Sequence, residues 1–386
     1  MPARSRCVVA LAVLACLLTG CRPAGPASPT TAAGPPPPST VPAPSAPAPT
    51  TAPGPTTPAA PTTPVATSTP APAATTGATA TAGPTTTVPG ATTAPAGPAP
   101  AEARLSWAPP AGWEDYPVRE VTATDAMTVV DARGGDVRIV LPADSAVGPV
   151  TVTDCRNAVL IGGQITVLPS ATADGQDQRA VYVRDCTGTV HLEGLLVDGD
   201  VEGSQSDGIA ANAPEAVLQV QNVRIEGVRG TESGNHADVF QPWGGLREFR
   251  IDRLTGTSNY QGLHISENLG EIGAGTVRRA DVGSSEVTPV EGGGHFLWTD
   301  CTDGHPLVFD DVWIEPRAGR QFGRSIWPRT DGLTCPATVT DGFATWPGNP
   351  TLTGGVHEGS PPEGDFVPAG TVGLGYVSPG YAGAPG

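Results

Sequence analysis

The residues whose types and spacing suit acid–base chemistry lie in two polar segments, each of which leads into an apolar run. Residues 235–245 read NHADVFQPWGG, with His236 two positions before Asp238, and residues 206–212 read SDGIAAN, which contains Asp207. Asp207 and Asp238 are 31 residues apart. If the chain repeats with that period, the two carboxylates stack about 5 Å apart, so that one pKa rises or a cation lies between them. A pair of carboxyl groups acting as acid and base is what glycosidic bond cleavage requires.

The same polar-to-apolar pattern recurs twice downstream, in YQGLHIS (260–266) and GGHFLWTD (293–300). The repeat places Tyr260 near His236, and His264 near the strand that follows Asp238. The predicted catalytic residues are Asp207, Asp238, His236 and His264, and the predicted substrate-binding residues are Gln241, Trp243, Tyr260, Gln261, His295 and Trp298. A purely structural role stays open for each, because Asp and His at turns commonly bond local backbone groups and aromatic rings can cover the shoulder of a fold.

The elements that must position these residues are visible as a repeat. Residues 150–163 (VTVTDCRNAVLIGG) align with residues 181–194 (VYVRDCTGTVHLEG), and apolar residues then recur in three columns at intervals of about 30 residues. The first column is predicted as Val159, Val190, Leu218, Phe249, Val277 and Leu307, the second as Ile161, Leu192, Val220, Ile251, Arg279 and Phe309, and the third as Leu195, Val223, Leu254, Val282 and Val312. Arg279 is the clear break in this pattern.

Alternation at i and i+2 within each repeat is strand periodicity, and a step near 30 residues suits one coil of a solenoid. In this architecture, over about residues 121–315, the chain resembles the pectate-lyase-like superfamily of right-handed parallel β-helices. The expected fold class is all-β, with a single-domain right-handed parallel β-helix at 104–386 that ends in a strap or cap from about residue 316. A β-sandwich or propeller is the alternative, although neither keeps one column in register through six repeats. The resemblance implies a polysaccharide site outside one sheet, beside long turns.

Four cysteines in the repeat region test this register. Cys155 and Cys186 fall on the same position of adjacent coils, within disulfide distance, which leaves Cys301 to pair with Cys335. An exported compartment permits both bonds. A four-thiol zinc site is the alternative, but the chain has no CxxC pair, and we assign no residue as a metal ligand.

The N-terminal segment indicates where the protein resides. MPARSRCVVALAVLACLLTGC contains two Arg residues, an apolar run too short to span a bilayer, and a Leu-Thr-Gly-Cys end that resembles the lipobox of bacterial lipoproteins. That resemblance implies a signal peptide at 1–20, a diacylated Cys21, and a lipid-anchored position on the extracytoplasmic face of the cell membrane. An ordinary secretory signal is the alternative. Residues 21–103 form a Pro/Thr/Ala-rich stalk that has too little apolar surface to fold and is expected to be a disordered linker.

The charge of the chain limits its partners. The 21 basic residues are all Arg and face 38 acidic ones, a net charge of -17, which argues against nucleic acid as a partner. An anionic polymer would need a local Arg cluster or a bound cation. We expect a monomer that binds a polysaccharide or cell-wall glycan and cleaves it as a hydrolase or lyase. A lyase would use a His or Arg base with Ca²⁺ neutralising a uronate carboxylate, and otherwise no cofactor is expected. The alternative is a non-catalytic adhesion or structural module.

Overall fold

Strands make up almost all of the regular secondary structure in the computed structural model, which describes residues 104–170, 178–267, 270–285, 292–301 and 304–383. The predicted signal peptide (1–20), the anchor Cys21 and the stalk (21–103) lie outside the described residues. Within those residues the helical elements are two 3-10 turns, Trp113–Asp115 and Phe322–Arg324, so the all-β prediction is confirmed. No helix in this part of the chain has the length and apolarity needed to cross a membrane.

The strands range from two to 23 residues, and the longest contain bends. In chain order they are β1 (Val118–Glu120), β2 (Thr128–Val140), β3 (Val150–Ile161), β4 (Gln164–Thr166), β5 (Gln178–Arg184), β6 (Thr189–Glu193), β7 (Leu196–Asp198), β8 (Ser206–Val228), β9 (Phe240–Gln241), β10 (Leu246–Ser258), β11 (Leu263–Ile265), β12 (Gly275–Ser284), β13 (Leu297–Thr299), β14 (Leu307–Glu315), β15 (Ile326–Trp327), β16 (Thr338–Thr340), β17 (Phe343–Thr345), β18 (Leu352–Thr353) and β19 (Val356–Glu358).

Most strands pair in parallel with the corresponding segment one repeat later. One such ladder of paired positions runs through Val150, Val181, Ile209, Phe240 and Leu263, all of which are completely buried. Full burial of one large apolar side chain contributes about 1.5–3 kcal/mol, so a ladder of this kind is a substantial part of the core. The next residue on each strand faces away from that core because side chains alternate along a strand.

Residues in the left-handed conformation bend the chain at the same point of successive repeats. In the structure Ala280 takes the place of Val282 in the third apolar column. The residue before each member of that column has a positive φ, at Gly194 (66°), Asn222 (52°), Arg253 (61°), Arg279 (47°) and Asp311 (59°). Only Gly adopts this conformation without a steric cost, so surrounding contacts must hold the other residues there. Arg279 breaks the predicted apolar column because it occupies this corner.

Parts of the predicted columns are displaced by one or two residues in the structure. The β6 segment starts one residue later in its repeat than predicted, and the repeat from β10 to β12 is shorter than its neighbours. The observed pairs are Ala158–Val190, Leu160–Leu192, Phe249–Gly275, Ile251–Val277 and Leu254–Ala280, in place of the predicted Val159–Val190, Ile161–Leu192, Phe249–Val277, Ile251–Arg279 and Leu254–Val282. On β14, Leu307, Phe309 and Val312 accordingly pair with Gly275, Val277 and Ala280. The predicted pairs Val190–Leu218, Leu218–Phe249 and Val223–Leu254 are confirmed.

Two disulfides connect the cysteines in the pairs that the sequence predicted. Cys155 and Cys186 are bonded with their Cα atoms 4.4 Å apart, as expected for equivalent positions on adjacent parallel strands. Cys301 and Cys335 form the second bond, with a Cα separation of 5.9 Å. The first bond closes one repeat, and the second joins the end of β13 to the segment before β16.

A segment near the C-terminus, residues 366–381, lies against the corners, and we call it the C-terminal strap. Val367 N–H donates to Thr255 Oγ1 over 3.0 Å, and Gly373 N–H donates to the carbonyl of Gly194 over 2.9 Å. Near its end, Tyr381 forms a parallel bridge with Leu105. The strap therefore connects several repeats through backbone and side-chain hydrogen bonds.

Candidate functional site

A row of side chains that face away from the core crosses the parallel strands β5, β8, β9, β11, β13 and β15. Each member directly follows a fully buried apolar residue, so strand alternation turns it outward. The row, called the outer row below, consists of Tyr182, Ala210, Gln241, His264, Trp298 and Trp327. Neighbouring strands lie about 4.8 Å apart, so the row forms a regular line of side chains, of which Ala210 is completely buried and the others are partly exposed.

Asp207 lies beside the outer row, and its carboxyl group is held inside the protein. The residue is 1% exposed. Its Oδ1 accepts hydrogen bonds from Asp238 N–H (3.0 Å) and Asn235 Nδ2 (3.1 Å), and its Oδ2 lies 3.6 Å from Arg179 Nε. Burial, followed by the charge of Asp238, raises the pKa of Asp207 to about 7. The 31-residue spacing therefore does bring Asp207 beside Asp238, but below the surface.

Asp238 and His264 form a pair at the centre of the outer row. Asp238 is 1% exposed, its Oδ2 lies 3.4 Å from His264 Nδ1, and its Oδ1 is buried without a hydrogen-bond partner among the described residues. Burial raises the pKa of Asp238, against the hydrogen bond and charge of His264. Burial alone lowers the pKa of His264, but the hydrogen bond and charge of Asp238 outweigh it, so that the pKa is raised.

The His264 ring, rather than either carboxyl group, is the titratable group of this pair that reaches the surface. Its side chain is 17% exposed, against 1% for that of Asp238. Gln241 Nε2 lies 3.1 Å from the same Nδ1 that faces Asp238. When Nδ1 of His264 carries the proton and faces Asp238, the lone pair of Nε2 in the neutral ring is left to accept a proton from a ligand. His264 is thus the residue of this site that can exchange a proton with a bound molecule.

Aromatic rings continue the outer row beyond His264. The His264 and Trp298 rings are 5.1 Å apart between centroids, and Trp298 and Trp327 are likewise 5.1 Å apart. His295 lies edge-on to both tryptophans, at 5.3 and 5.9 Å. Burial, and then the nearby Arg320 and Arg329, lower the pKa of His295 to about 4, so the ring is neutral near pH 7. This end of the row presents half-buried aromatic surface.

The remaining predicted residues lie to one side of the row. His236 is exposed, stacks on Tyr260 with ring centroids 4.8 Å apart, and has Nε2 3.3 Å from the carbonyl of Glu232. The predicted proximity of His236 and Tyr260 is therefore present. Tyr260 and Gln261 are only 4% and 5% exposed, which leaves little of either for contact with a ligand. His236 lies close enough to Asp238 for its charge to lower the pKa of that carboxyl.

Tyr182 and Arg179 are neighbours of the site that sequence reasoning missed. Tyr182 begins the outer row and stacks against Trp243, with centroids 6.3 Å apart. The Arg179 guanidinium lies 4.9 Å from the Tyr182 ring centroid and 5.7 Å from that of Trp243. Arg179 pairs with Asp207 in the strand register. Val190 and Leu218 form a confirmed pair separated by 28 residues, and the residue 28 positions before Asp207 is Arg179. The repeat could therefore have indicated Arg179.

An arginine-lined cavity of about 630 Å³ lies at the other end of the row and was also missed. Its lining includes Arg317, Arg320, Arg324 and Arg329. Arg320 Nη2 lies 3.3 Å from His295 Nε2, which connects the cavity to the aromatic end of the row. Burial, followed by the charges of the other three arginines, lowers the pKa of Arg320. We call these four residues the arginine cluster; they lie after the repeats fade, so no periodicity indicated them.

A group with metal-ligand chemistry lies in the turns behind the row. Glu267, Asp300 and His305 each offer one ligand atom, and these atoms lie within 4.8 Å of one another. Glu267 follows β11, Asp300 follows β13, and His305 precedes β14.

No protein-family model matches the chain, and searches of curated proteins and of solved structures return no significant match.

Proposed function

We propose that this chain is a lipid-anchored, cell-surface protein that folds as a right-handed parallel β-helix and cleaves an anionic polysaccharide along its outer row. The parallel registers that advance by one repeat at a time, together with the left-handed corner at the same point of each repeat, support the β-helix. The observation that carries the function is the continuous line from Gln241 through His264 to Trp298 and Trp327, with Asp238 behind His264.

The aromatic end of the row supports binding of an extended sugar chain. Trp298 and Trp327 are tilted by 32° and lie half-buried on adjacent strands, so that their exposed parts form one apolar surface. Aromatic rings contribute a large rigid contact area at low entropic cost, and polar groups at the edge fix orientation. His264, one strand from Trp298, and Gln241, two strands from it, supply such polar groups.

The acid–base arrangement favours elimination over hydrolysis. Glycoside hydrolysis needs two carboxyl groups on either side of the scissile bond, whereas Asp207 and Asp238 are both buried below the row. His264 is held by Asp238 and has a ring nitrogen left for substrate. In β-elimination, His264 takes the proton next to the uronate carboxylate, the electron pair forms a C=C bond, and the C–O bond to the leaving sugar breaks. The leaving oxygen takes up a proton, and the product is an unsaturated uronate.

The arginine cluster supports an anionic substrate. Four of the described residues that line the cavity are arginines and none of the described lining residues is acidic, while Arg324 and Arg329 both pair with Asp331. This site is therefore locally positive on a chain of net charge -17. Arginine binds carboxylate and sulfate groups well because its planar guanidinium donates two parallel hydrogen bonds.

The test is an activity screen of the full chain on uronate-rich, sulfated and neutral polysaccharides. Elimination is followed by absorbance at about 235 nm, and hydrolysis by reducing sugar. We expect absorbance on a uronate polymer, and a loss of at least about 100-fold in kcat for His264→Gln with binding retained. The rate should rise with pH above the ordinary histidine pKa of 6.5, because the base must be neutral and its pKa is raised. His357→Gln, at a ring stacked 4.5 Å from Trp313, is the matched control and should be unchanged.

The outcomes separate this proposal from its alternatives. Reducing sugar without the absorbance would show a hydrolase instead of a lyase. Binding of a polymer without any product, in the wild type, would support the non-catalytic binding module. Equal binding of neutral and uronate polymers would contradict the role of the arginine cluster.

A further inference from the structure

Three side chains from two turns converge close to the second disulfide: Glu267 follows β11, and Asp300 and His305 lie in the turn between β13 and β14 that also contains Cys301. His305 Nδ1 lies 3.5 Å from Glu267 Oε1, and one ligand atom from each of Glu267, Asp300 and His305 lies within 4.8 Å of the others. Two atoms that bind the same tetrahedral Zn²⁺ at about 2.1 Å lie about 3.4 Å apart. The Glu267–His305 contact already matches that separation, and Asp300 needs only a small inward movement.

His305 is a buried polar side chain, and its Nδ1 approaches Glu267 Oε1 only to 3.5 Å, the outer limit of a hydrogen bond. The residue is 6% exposed, and neither ring nitrogen makes a hydrogen bond to another described residue. Its ring packs edge-on to Phe249 with centroids 6.2 Å apart, so its orientation is held by apolar contact. A buried imidazole that lacks hydrogen bonds loses stability unless another group satisfies it. A metal ion between Nδ1 and the two carboxylates would satisfy it.

Existing hydrogen bonds hold the carboxylates in place and leave room for a metal. Asp300 accepts from Ser266 Oγ at 3.0 Å through Oδ1 and from Glu267 N–H at 2.7 Å through Oδ2. Glu267 Oε1 accepts from Ile272 N–H at 3.0 Å. Each carboxylate oxygen has two lone pairs, so one hydrogen bond leaves a second pair for coordination. Bonds of this kind orient ligands in known metal sites.

We propose that Glu267, Asp300 and His305 form a binding site for a divalent transition-metal ion of the Zn²⁺ type. An imidazole with two carboxylates suits Zn²⁺, whereas Ca²⁺ and Mg²⁺ prefer sites made of oxygen ligands alone. Three protein ligands leave a coordination position for water. The ion joins the turn after β11 to both ends of the turn between β13 and β14, and so stabilises the turns that follow the strands of His264 and Trp298. The site is independent of the proposed cleavage.

The experiment is a titration of the metal-stripped full chain, without a polyhistidine tag, with ZnCl₂ alone. Calorimetry should give one saturable equivalent that depends on His305, and the thermal midpoint should rise as Zn²⁺ is added. His305→Gln and Glu267→Gln should each weaken that binding by about tenfold or more. His357→Gln, half-buried and on β19, is the matched control and should bind Zn²⁺ like the wild type.

The variants also keep the proposal testable if one of them misfolds. If His305→Gln does not fold, Glu267→Gln gives the answer, because Glu267 is partly exposed and Gln preserves its shape. Zn²⁺ binding that is unchanged in a folded variant would overturn the site. Saturable binding of Ca²⁺ in preference to Zn²⁺ would overturn the proposed class of metal, and the absence of saturable Zn²⁺ binding to wild type would overturn both.

Discussion

The carboxyl groups of Asp207 and Asp238 share a buried location but have different partners. Asp207 Oδ1 accepts hydrogen bonds from Asp238 N–H and from Asn235 Nδ2, and its Oδ2 lies 3.6 Å from Arg179 Nε. Both carboxylate oxygens therefore contact polar groups within the protein. Asp238 faces His264 through one oxygen only. This difference indicates that Asp207 holds the segment of Asp238 in place, and that Asp238 orients His264, the residue we propose as the base.

The raised pKa of Asp207 predicts how stability depends on pH. Its pKa is about 7 in the folded protein against an ordinary value of 3.8, so between these values the folded protein binds a proton that the unfolded chain does not. Stability therefore falls as pH rises through this window, by up to about 1.4 kcal/mol per pH unit. Asp207→Asn removes the titration, and we expect the pH dependence of its free energy of unfolding to be flatter than that of the wild type. Urea unfolding at about pH 4.5, 6 and 8 measures the difference.

A matched control for this measurement is Asp144→Asn, which changes an exposed aspartate whose contact in the described structure is the neighbouring Ser145. Its unfolding free energy should follow the wild type at every pH. If the curves for Asp207→Asn and wild type stayed parallel from acid to neutral pH, Asp207 would not be the buried acid described above.

At the scale of elements, the C-terminal strap is held at a corner that only glycine fits. Gly194 has φ of 66°, and a Cβ built there would lie 2.1 Å from Tyr376 Cδ1. The Tyr376 hydroxyl donates to Glu193 Oε1 over 2.9 Å, and the Tyr381 hydroxyl donates to Glu193 Oε2 over 2.6 Å. The strap therefore packs directly on the corner and satisfies a buried carboxylate.

Gly194→Ala should destabilise the fold through both strain and collision. The left-handed conformation costs an alanine about 1–2 kcal/mol, and the overlap with Tyr376 should add about 1–3 kcal/mol. Gly112→Ala is the matched control, because Gly112 has φ of 75° with no atom within 4 Å of the added Cβ, so it should lose only the first amount. The free energies of unfolding from urea titration give both values.

A double-mutant cycle isolates the strap contact. In a Tyr376→Ala background the ring is gone, so Gly194→Ala should cost no more than Gly112→Ala does. An equal cost of Gly194→Ala in both backgrounds would mean that the strap does not rest on this corner.

The repeat in the sequence predicted the pairing of some strands correctly and that of others incorrectly. The pairing of Asp207 with Asp238 and of Cys155 with Cys186 was predictable because each pair is separated by a single repeat of 31 residues. The pairing of β10 with β12 was not, because that repeat is shorter and its corner residue, Arg279, resembles a break in the core. The burial of Asp207 could not be read from spacing, since a strand period gives the side-chain face but not what covers it. The arginine cluster lies in irregular segments whose positions depend on tertiary contacts.

At the scale of the whole molecule, the net negative charge of the chain and its proposed attachment to the membrane both bear on the proposed binding of an anionic polysaccharide. A chain of net charge -17 repels anionic polymers, which is why we propose the arginine cluster as the binding site for such a polymer. Because this attraction competes with a general repulsion, binding should depend strongly on salt concentration. Residues 21–103 lie outside the described residues, and we propose that they connect the strands to an anchor in the membrane, so that the polymer is met outside the cell.

The proposed lipid anchor can be tested by removing the sulfur atom of Cys21. In a bacterial host that processes lipoproteins, the wild-type chain should partition into the detergent phase, because two or three acyl chains on Cys21 give lasting membrane attachment where one gives only marginal binding. Cys21→Ser removes the sulfur that carries them, so the protein should move to the aqueous phase. Cys16→Ser is the matched control: it changes a cysteine within the apolar run five residues earlier, and should partition like wild type. Equal partitioning of Cys21→Ser and wild type would show that an ordinary secretory signal, or another form of attachment, places this protein outside the cell.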